Sequence, residues 1–130
     1  MRPTILTLIL FVSPLFAQQS PDPHSIPQVD AELGACSANF IITDTSDKPL
    51  YNAQIEVRVQ YGTFHRIDLT VNTNVDGKAR FVGLPANPKR GYFYRASEGD
   101  RTGNAFQDPA QKCNAQFTVV LRKSTEPPQQ

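Results

Sequence analysis

Hydrophobic and polar residues alternate with a period of two through the middle of this chain. Ile55, Val57, Val59 and Tyr61 alternate with Gln54, Glu56, Arg58 and Gln60, and Ile67, Leu69 and Val71 alternate with Arg66, Asp68, Thr70 and Asn72. A helix would scatter those residues around its circumference, whereas a strand sends successive side chains to opposite faces. The pattern predicts two half-buried antiparallel strands, and Gly62-Thr63 between them predicts a hairpin. A last strand follows the same rule, with Phe117, Val119 and Leu121 against Gln116, Thr118 and Arg122.

Shorter strands fill the remaining gaps. Asn39 to Thr43 opens the unit with Phe40 and Ile42 in phase, and Asp76-Gly77 makes a tight turn into Ala79–Val82. Gly83-Leu84-Pro85 ends that strand, Lys89-Arg90-Gly91 leads into Tyr92–Ala96, and a further strand is expected near Asn104–Phe106. Nowhere does a 3.6-residue apolar stripe run long enough for a helix of about ten residues. Six or seven short strands separated by turns predict an all-β fold, an antiparallel-dominated seven-strand Greek-key β-sandwich of the transthyretin-like or immunoglobulin-like kind.

The ends read differently. Met1-Arg2, the apolar run Ile5–Val12 and the close at Ala17 have the order of a secretory signal peptide, expected over residues 1–17. The run is shorter than a membrane span, which takes about 20 apolar residues. Residues 18–33 hold three prolines and few apolar side chains, so a flexible leader is expected there. Residues 124–130, Ser-Thr-Glu-Pro-Pro-Gln-Gln, predict a disordered tail. The folded domain is thus expected over 34–123.

Charge narrows the partners. Without Arg2, 12 basic side chains face 12 acidic ones, interspersed along the chain. Such a balance lacks the positive footprint that nucleic acid or anionic lipid requires. The two cysteines, Cys36 and Cys113, are expected to form a disulfide in an exported chain. Cys36 lies four residues before Phe40 and Cys113 four before Phe117, so each sulfur shares a face with its strand's apolar residues. First and last strands running side by side and parallel would bring both cysteines to one end. Leu33-Gly34-Ala35-Cys36 matches a lipoprotein signal, but polar residues separate it from the apolar run.

Residues 38–122 resemble the carboxypeptidase regulatory-like domain, a transthyretin-like β-sandwich. Asp44-Thr45-Ser46-Asp47-Lys48-Pro49-Leu50-Tyr51-Asn52-Ala53-Gln54-Ile55 is similar to that family's D-x-x-G-x-P-L-x-x-A-x-V opening. Thr73–Phe81 resembles its T-x-x-x-G-x-A-x-F segment, and Phe81-Val82-Gly83-Leu84-Pro85 its F-x-G-L-P. Asp47 stands where the family often has glycine, and Ala38-Asn39-Phe40 where it often has Gly-x-Val. The resemblance implies an accessory or binding role and names no ligand.

No catalytic constellation emerges from the residues. A zinc carboxypeptidase needs His-x-x-Glu and a second histidine, yet His24 is followed by Ser-Ile-Pro and His65 by Arg-Ile-Asp. No Gly-x-Ser-x-Gly elbow and no glycine-rich phosphate loop appears. Hydroxyisourate hydrolases share the transthyretin architecture but end in Tyr-Arg-Gly-Ser, which Tyr94-Arg95-Ala96-Ser97 resembles only superficially and in an earlier strand. Asp44 with Asp47, and Glu98 with Asp100, are expected as turn formers rather than calcium ligands.

For binding, aromatic residues matter most. Tyr61, Phe64 and His65 cluster at the predicted hairpin tip and are the candidate ligand-binding residues, with Phe64 the one expected on the surface. Tyr92 and Tyr94 are expected in the core, with Phe93 facing the opposite way. The expectation from sequence is a non-catalytic accessory module, secreted or periplasmic, that contacts another protein. Carbohydrate binding is the alternative, and hydrolysis of the transthyretin type ranks last. No enzyme activity, cofactor, metal or nucleic acid is expected, nor a membrane span once the signal is removed.

Overall fold

The computed structural model describes residues 3–4, 7–12 and 22–123. The expected signal peptide at 1–17 therefore lies largely, and the expected tail at 124–130 wholly, outside the described residues. Among the described residues nine strands make up the regular structure, in chain order β1 (Gln28–Asp30), β2 (Cys36–Thr43), β3 (Gln54–Tyr61), β4 (His65–Asn72), β5 (Lys78–Leu84), β6 (Tyr92–Glu98), β7 (Arg101–Gln107), β8 (Asn114–Val120) and β9 (Arg122–Lys123). They form two sheets, one ordered β1-β5-β2-β8 and the other β4-β3-β6-β7-β9. The all-β sandwich expected from the alternation is what the chain adopts, with seven long strands and two short ones at its ends.

The predicted hairpin forms in the register that the alternation requires. β3 and β4 pair antiparallel, with Val57 opposite Leu69 and Tyr61 opposite His65. Ile55, Val57 and Val59 are buried while Glu56 and Arg58 are exposed. In the other sheet, β2 and β8 run parallel, with Phe40 opposite Phe117. That is the arrangement expected from the matched cysteine offsets, and Cys36 and Cys113 are bonded, with Cα atoms 4.6 Å apart.

Aromatic rings join the two layers. Phe40 on β2 lies 4.7 Å from Tyr94 on β6 in an edge-on arrangement, and Phe81 on β5 lies 5.8 Å from Tyr94 in a stacked one. Such pairs bury large apolar areas and add about 0.5–1.5 kcal/mol each beyond that burial. Tyr94 keeps its hydroxyl satisfied by donating to Gln107 Oε1 at 2.6 Å. Gln107 in turn donates to the carbonyls of Ser37 (3.2 Å), Lys112 (2.8 Å) and Cys113 (3.1 Å), tying β6 and β7 to the disulfide end of β2 and β8.

The expected flexible leader is where sequence and structure part. Residues 28–30 form β1 and pair parallel with β5, Gln28 opposite Arg80 and Asp30 opposite Val82. Ala31 N–H then donates to Val82 O (2.9 Å) and Leu33 N–H to Gly83 O (2.8 Å). Composition misled here because a parallel ladder is made by backbone groups. The side chains at 29, 31 and 33 also keep a period of two, Val29, Ala31 and Leu33 packing against the core.

The turns follow their residues. Gly77 has φ +70° after Asp76, and a Cβ there would run into the carbonyl of Ile42. Thr73 hydroxyl donates to Leu50 O (2.6 Å) and accepts Ala53 N–H (2.9 Å), locking the entry to β3. The last strand is shorter than expected. Leu121 N–H donates to Thr43 O, and the chain then crosses to pair Arg122 and Lys123 with β7 in the other sheet.

The disulfide spans a sequence separation of 77 residues. Chain-entropy reasoning makes its removal cost about 4–5 kcal/mol. A Cys36→Ala/Cys113→Ala variant is expected to lose roughly that amount in urea unfolding, with an unchanged native circular dichroism spectrum under stabilising conditions.

Candidate functional site

With one phase of every strand committed to the interior, the outward phases are what remains to meet a ligand. On the five-stranded sheet the outward residues are Glu56 and Arg58 of β3, Asp68 and Thr70 of β4, Phe93 and Arg95 of β6, and Phe106 of β7. Phe93 lies directly opposite Phe106 in the β6–β7 ladder. Their ring centroids are 4.7 Å apart, and they remain 70% and 51% exposed. Phe106 is seated over Gly91, where any Cβ would strike its ring. That close approach is what glycine permits at this position.

Two clefts flank Phe93. One, of about 460 Å³, is lined by residues including Glu56, Arg58, Asp68, Thr70, Phe93 and Arg95. The other, of about 190 Å³, is lined by Arg58, Gln60, Arg90, Gly91 and Phe93. Arg58 Nε donates to Asp68 Oδ1 at 2.8 Å, directly across the hairpin. Asp68 is held below the usual carboxylate range by that bond. Arg90 and Arg95 form no salt bridge among the described residues. Phe93 is therefore a flat apolar surface beside three guanidinium groups, with the carboxylates of Glu56, opposite Arg95, and Asp68 in the larger cleft. A planar ligand stacked on the ring would meet the guanidinium groups with any negative charge it carries.

The three residues singled out from sequence sit together at one hairpin tip, where Phe64 and His65 line a cleft of about 170 Å³ with Gln60, Thr63, Arg66 and Lys89. Tyr61 stacks on His65 with centroids 5.3 Å apart, as cross-strand neighbours. Phe64 is 94% exposed, with Lys89 Nζ 5.7 Å from its ring centre. Lys89 Nζ also donates to Thr63 O (2.6 Å), so this cluster closes the hairpin. The Phe93–Phe106 pair was the feature missed. Its signal was present in the phase of Phe93, opposite to Tyr92 and Tyr94, but Phe106 lay in the least regular strand.

Other titratable residues have structural partners. His24, expected in a flexible leader, has Nδ1 2.8 Å from Asp76 Oδ2, and this contact raises its pKa from the ordinary value. Asp44 accepts the N–H groups of Ser46 (2.8 Å) and Lys48 (3.0 Å), which lower its pKa, as a turn former does. Among the described residues no three His, Cys, Asp or Glu side chains come together in a way that could hold a metal ion. Tyr92 donates its hydroxyl to Pro85 O, and Tyr92 and Tyr94 are both buried in the core.

No family model matches the chain, and no curated protein matches it. Among solved structures it is similar to catechol 1,2-dioxygenase from Acinetobacter radioresistens, at 14% identity and a TM-score of 0.49, over 79% of this chain and 60% of that one. It is also similar to 3-chlorocatechol 1,2-dioxygenase from Rhodococcus opacus 1CP (12%, 0.49, 86% and 70%) and hydroxyquinol 1,2-dioxygenase from Pseudomonas putida DLL-E4 (7%, 0.49, 78% and 63%). The expectation of a non-catalytic accessory module, and with it the exclusion of an enzyme, is corrected on this point: these three similar structures are dioxygenases. At such identities, and with TM-scores below 0.5, the likeness assigns neither a reaction nor a residue role to this chain.

Burial raises the Tyr92 hydroxyl to about 12 and pushes Tyr94 up as well. An unfolded tyrosine ionises near pH 10. Folding therefore favours the neutral phenols, and stability is full below about pH 10 and falls as pH rises through 12. Phenolate absorbance of Tyr92 and Tyr94, obtained by difference from Tyr92→Phe and Tyr94→Phe, is expected to appear only together with loss of the β-sheet circular dichroism signal.

Proposed function

We propose that this chain binds a planar aromatic molecule with an anionic substituent on the outer face of its five-stranded sheet. The observation that carries the reading is the exposed Phe93–Phe106 pair, seated over Gly91 and rimmed by Arg58, Arg90 and Arg95. The pair offers the ligand's ring an apolar surface, and the guanidinium groups meet its charge. Arg58 is shared with Asp68, and Arg95 has Glu56 opposite it, which leaves Arg90 as the principal anion partner, with Arg95 beside it.

The setting of the molecule is also proposed. The chain is exported through a signal peptide at residues 1–17, and the Cys36–Cys113 disulfide supports an oxidising compartment. The family is proposed as well: the motifs at residues 44–55 and 73–85 resemble those of a carboxypeptidase regulatory-like domain. Support comes from Asp47, whose φ of +60° is a conformation glycine adopts readily, at the position where that family often has glycine.

The chain has no tryptophan, so the fluorescence of a bound naphthoate can be followed without interference. Naphthoate is expected to bind the wild type saturably, and Phe93→Ala or Phe106→Ala to weaken binding about tenfold, equivalent to roughly 1.4 kcal/mol. Catechol belongs in the same titration, because the similar solved structures are named for it. Its loss over time above the protein-free rate would show that the face also reacts. Absence of binding, or equal binding by wild type and both alanine variants, overturns the reading.

A further inference from the structure

The four-stranded sheet has an outward face of different chemistry. Lys78 and Arg80 alternate along β5 with the buried Ala79 and Phe81. Arg80 lies opposite Asn39 on β2, which lies opposite Gln116 on β8. Lys78 lies opposite Ile41, which lies opposite Thr118. These rows and Ile26 line a cleft of about 460 Å³ on the side of the molecule away from Phe93.

Every charged side chain lining this cleft is positive. The nearby carboxylates are engaged elsewhere, Asp30 with the N–H of Glu32 (2.9 Å) and Asp76 with His24 (2.8 Å). Arg80 Nη1 donates to the neutral amide oxygen of Gln28 at 3.3 Å, but its Nε is buried without a hydrogen-bond partner among the described residues. A buried guanidinium N–H that lacks an acceptor costs free energy. The planar fork of arginine matches the paired oxygens of a carboxylate or phosphate.

We infer that this face is a second, separate ligand site, for a small oxyanion with a short apolar body. Arg80 takes the oxyanion, Lys78 adds charge, and Asn39, Gln116 and Thr118 supply neutral hydrogen-bonding groups beside it. Ile41 and Ile26, both partly exposed, give the apolar portion a surface to lie on. This inference does not depend on the aromatic site.

The test is an NMR titration of the exported chain with inorganic phosphate, acetate and hexanoate in separate arms. Saturable amide shifts are expected at Lys78, Arg80, Asn39 and Gln116, with hexanoate binding several-fold tighter than acetate if Ile26 and Ile41 contribute. Phosphate binding tighter than either carboxylate would identify the oxyanion as phosphate-like. Arg80→Gln is expected to weaken binding at least tenfold and Lys78→Gln a few-fold, while Phe93→Ala leaves it unchanged. Arg80→Lys keeps the charge and loses the fork, so an intermediate loss supports the inference should Arg80→Gln fail to fold. Shifts that are absent, confined to the other sheet, or equal in wild type and Arg80→Lys overturn it.

Discussion

The contact of Phe40 with Tyr94, their rings 4.7 Å apart between the layers, sets the phase of both sheets. Two sheets can share an interior only if one side of each is apolar throughout, and the pleat allows a strand to present only every second residue there. A shift of β6 by one position would bring Phe93 inside and turn both Tyr92 and Tyr94 into water. The hydroxyl of Tyr94 makes the phase more specific still, because it finds its acceptor only at Gln107. Gln107 then reaches three carbonyls at the disulfide end. One buried hydroxyl thus couples strand phase in one layer to the disulfide end of the other.

The parallel pairing of β2 with β8 depends on that same end. Parallel neighbours so far apart in sequence carry a loop-closure cost that local hairpins avoid. The Cys36–Cys113 bond and the unbroken register from Ser37–Asn114 to Thr43–Val120 offset it. After Val120 the sheet has no partner to continue with, and the chain passes Leu121 against Thr43 before joining the opposite layer. That crossing binds the last residues of the fold to both sheets at once.

Much of this was legible in the chain because strands of period two declare which side they bury. The β3–β4 hairpin, the core placement of Tyr92 and Tyr94, and the parallel meeting of the cysteine strands all follow from phase and offset. Strand β1 was not legible by composition. Prolines at 21, 23 and 27 suggest a solvated leader, while the stabilising groups of residues 28–33 are backbone N–H and C=O, which every residue but proline carries alike. Phase also says which residues face water without saying which of those are used. Tyr61, Phe64 and His65 stand out as an aromatic cluster at a tip, and there Tyr61 stacks on His65 while Phe64 shares a small cleft with His65. Phe93 and Phe106 stand on the two arms of the β6–β7 hairpin, 13 positions apart in sequence, and only strand pairing brings them together.

Cross-strand pairing alone accounts for part of that arrangement. Two rings directly opposite each other on an antiparallel pair stabilise it by about 0.2–1 kcal/mol relative to alanines, whatever else they do. Such pairing explains why the rings touch. It does not explain why the better-placed ring leaves 70% of its surface in water, or why it stands between clefts lined by three arginines rather than under a covering side chain. Nor does it require glycine at position 91, since the ladder partners are 92 through 98. A seat for Phe106 at Gly91, a ring at 93 and guanidinium groups at 58, 90 and 95 come from three separate stretches of chain. Their meeting on one face is what distinguishes a platform for a ligand from a pair of rings that merely shelter each other.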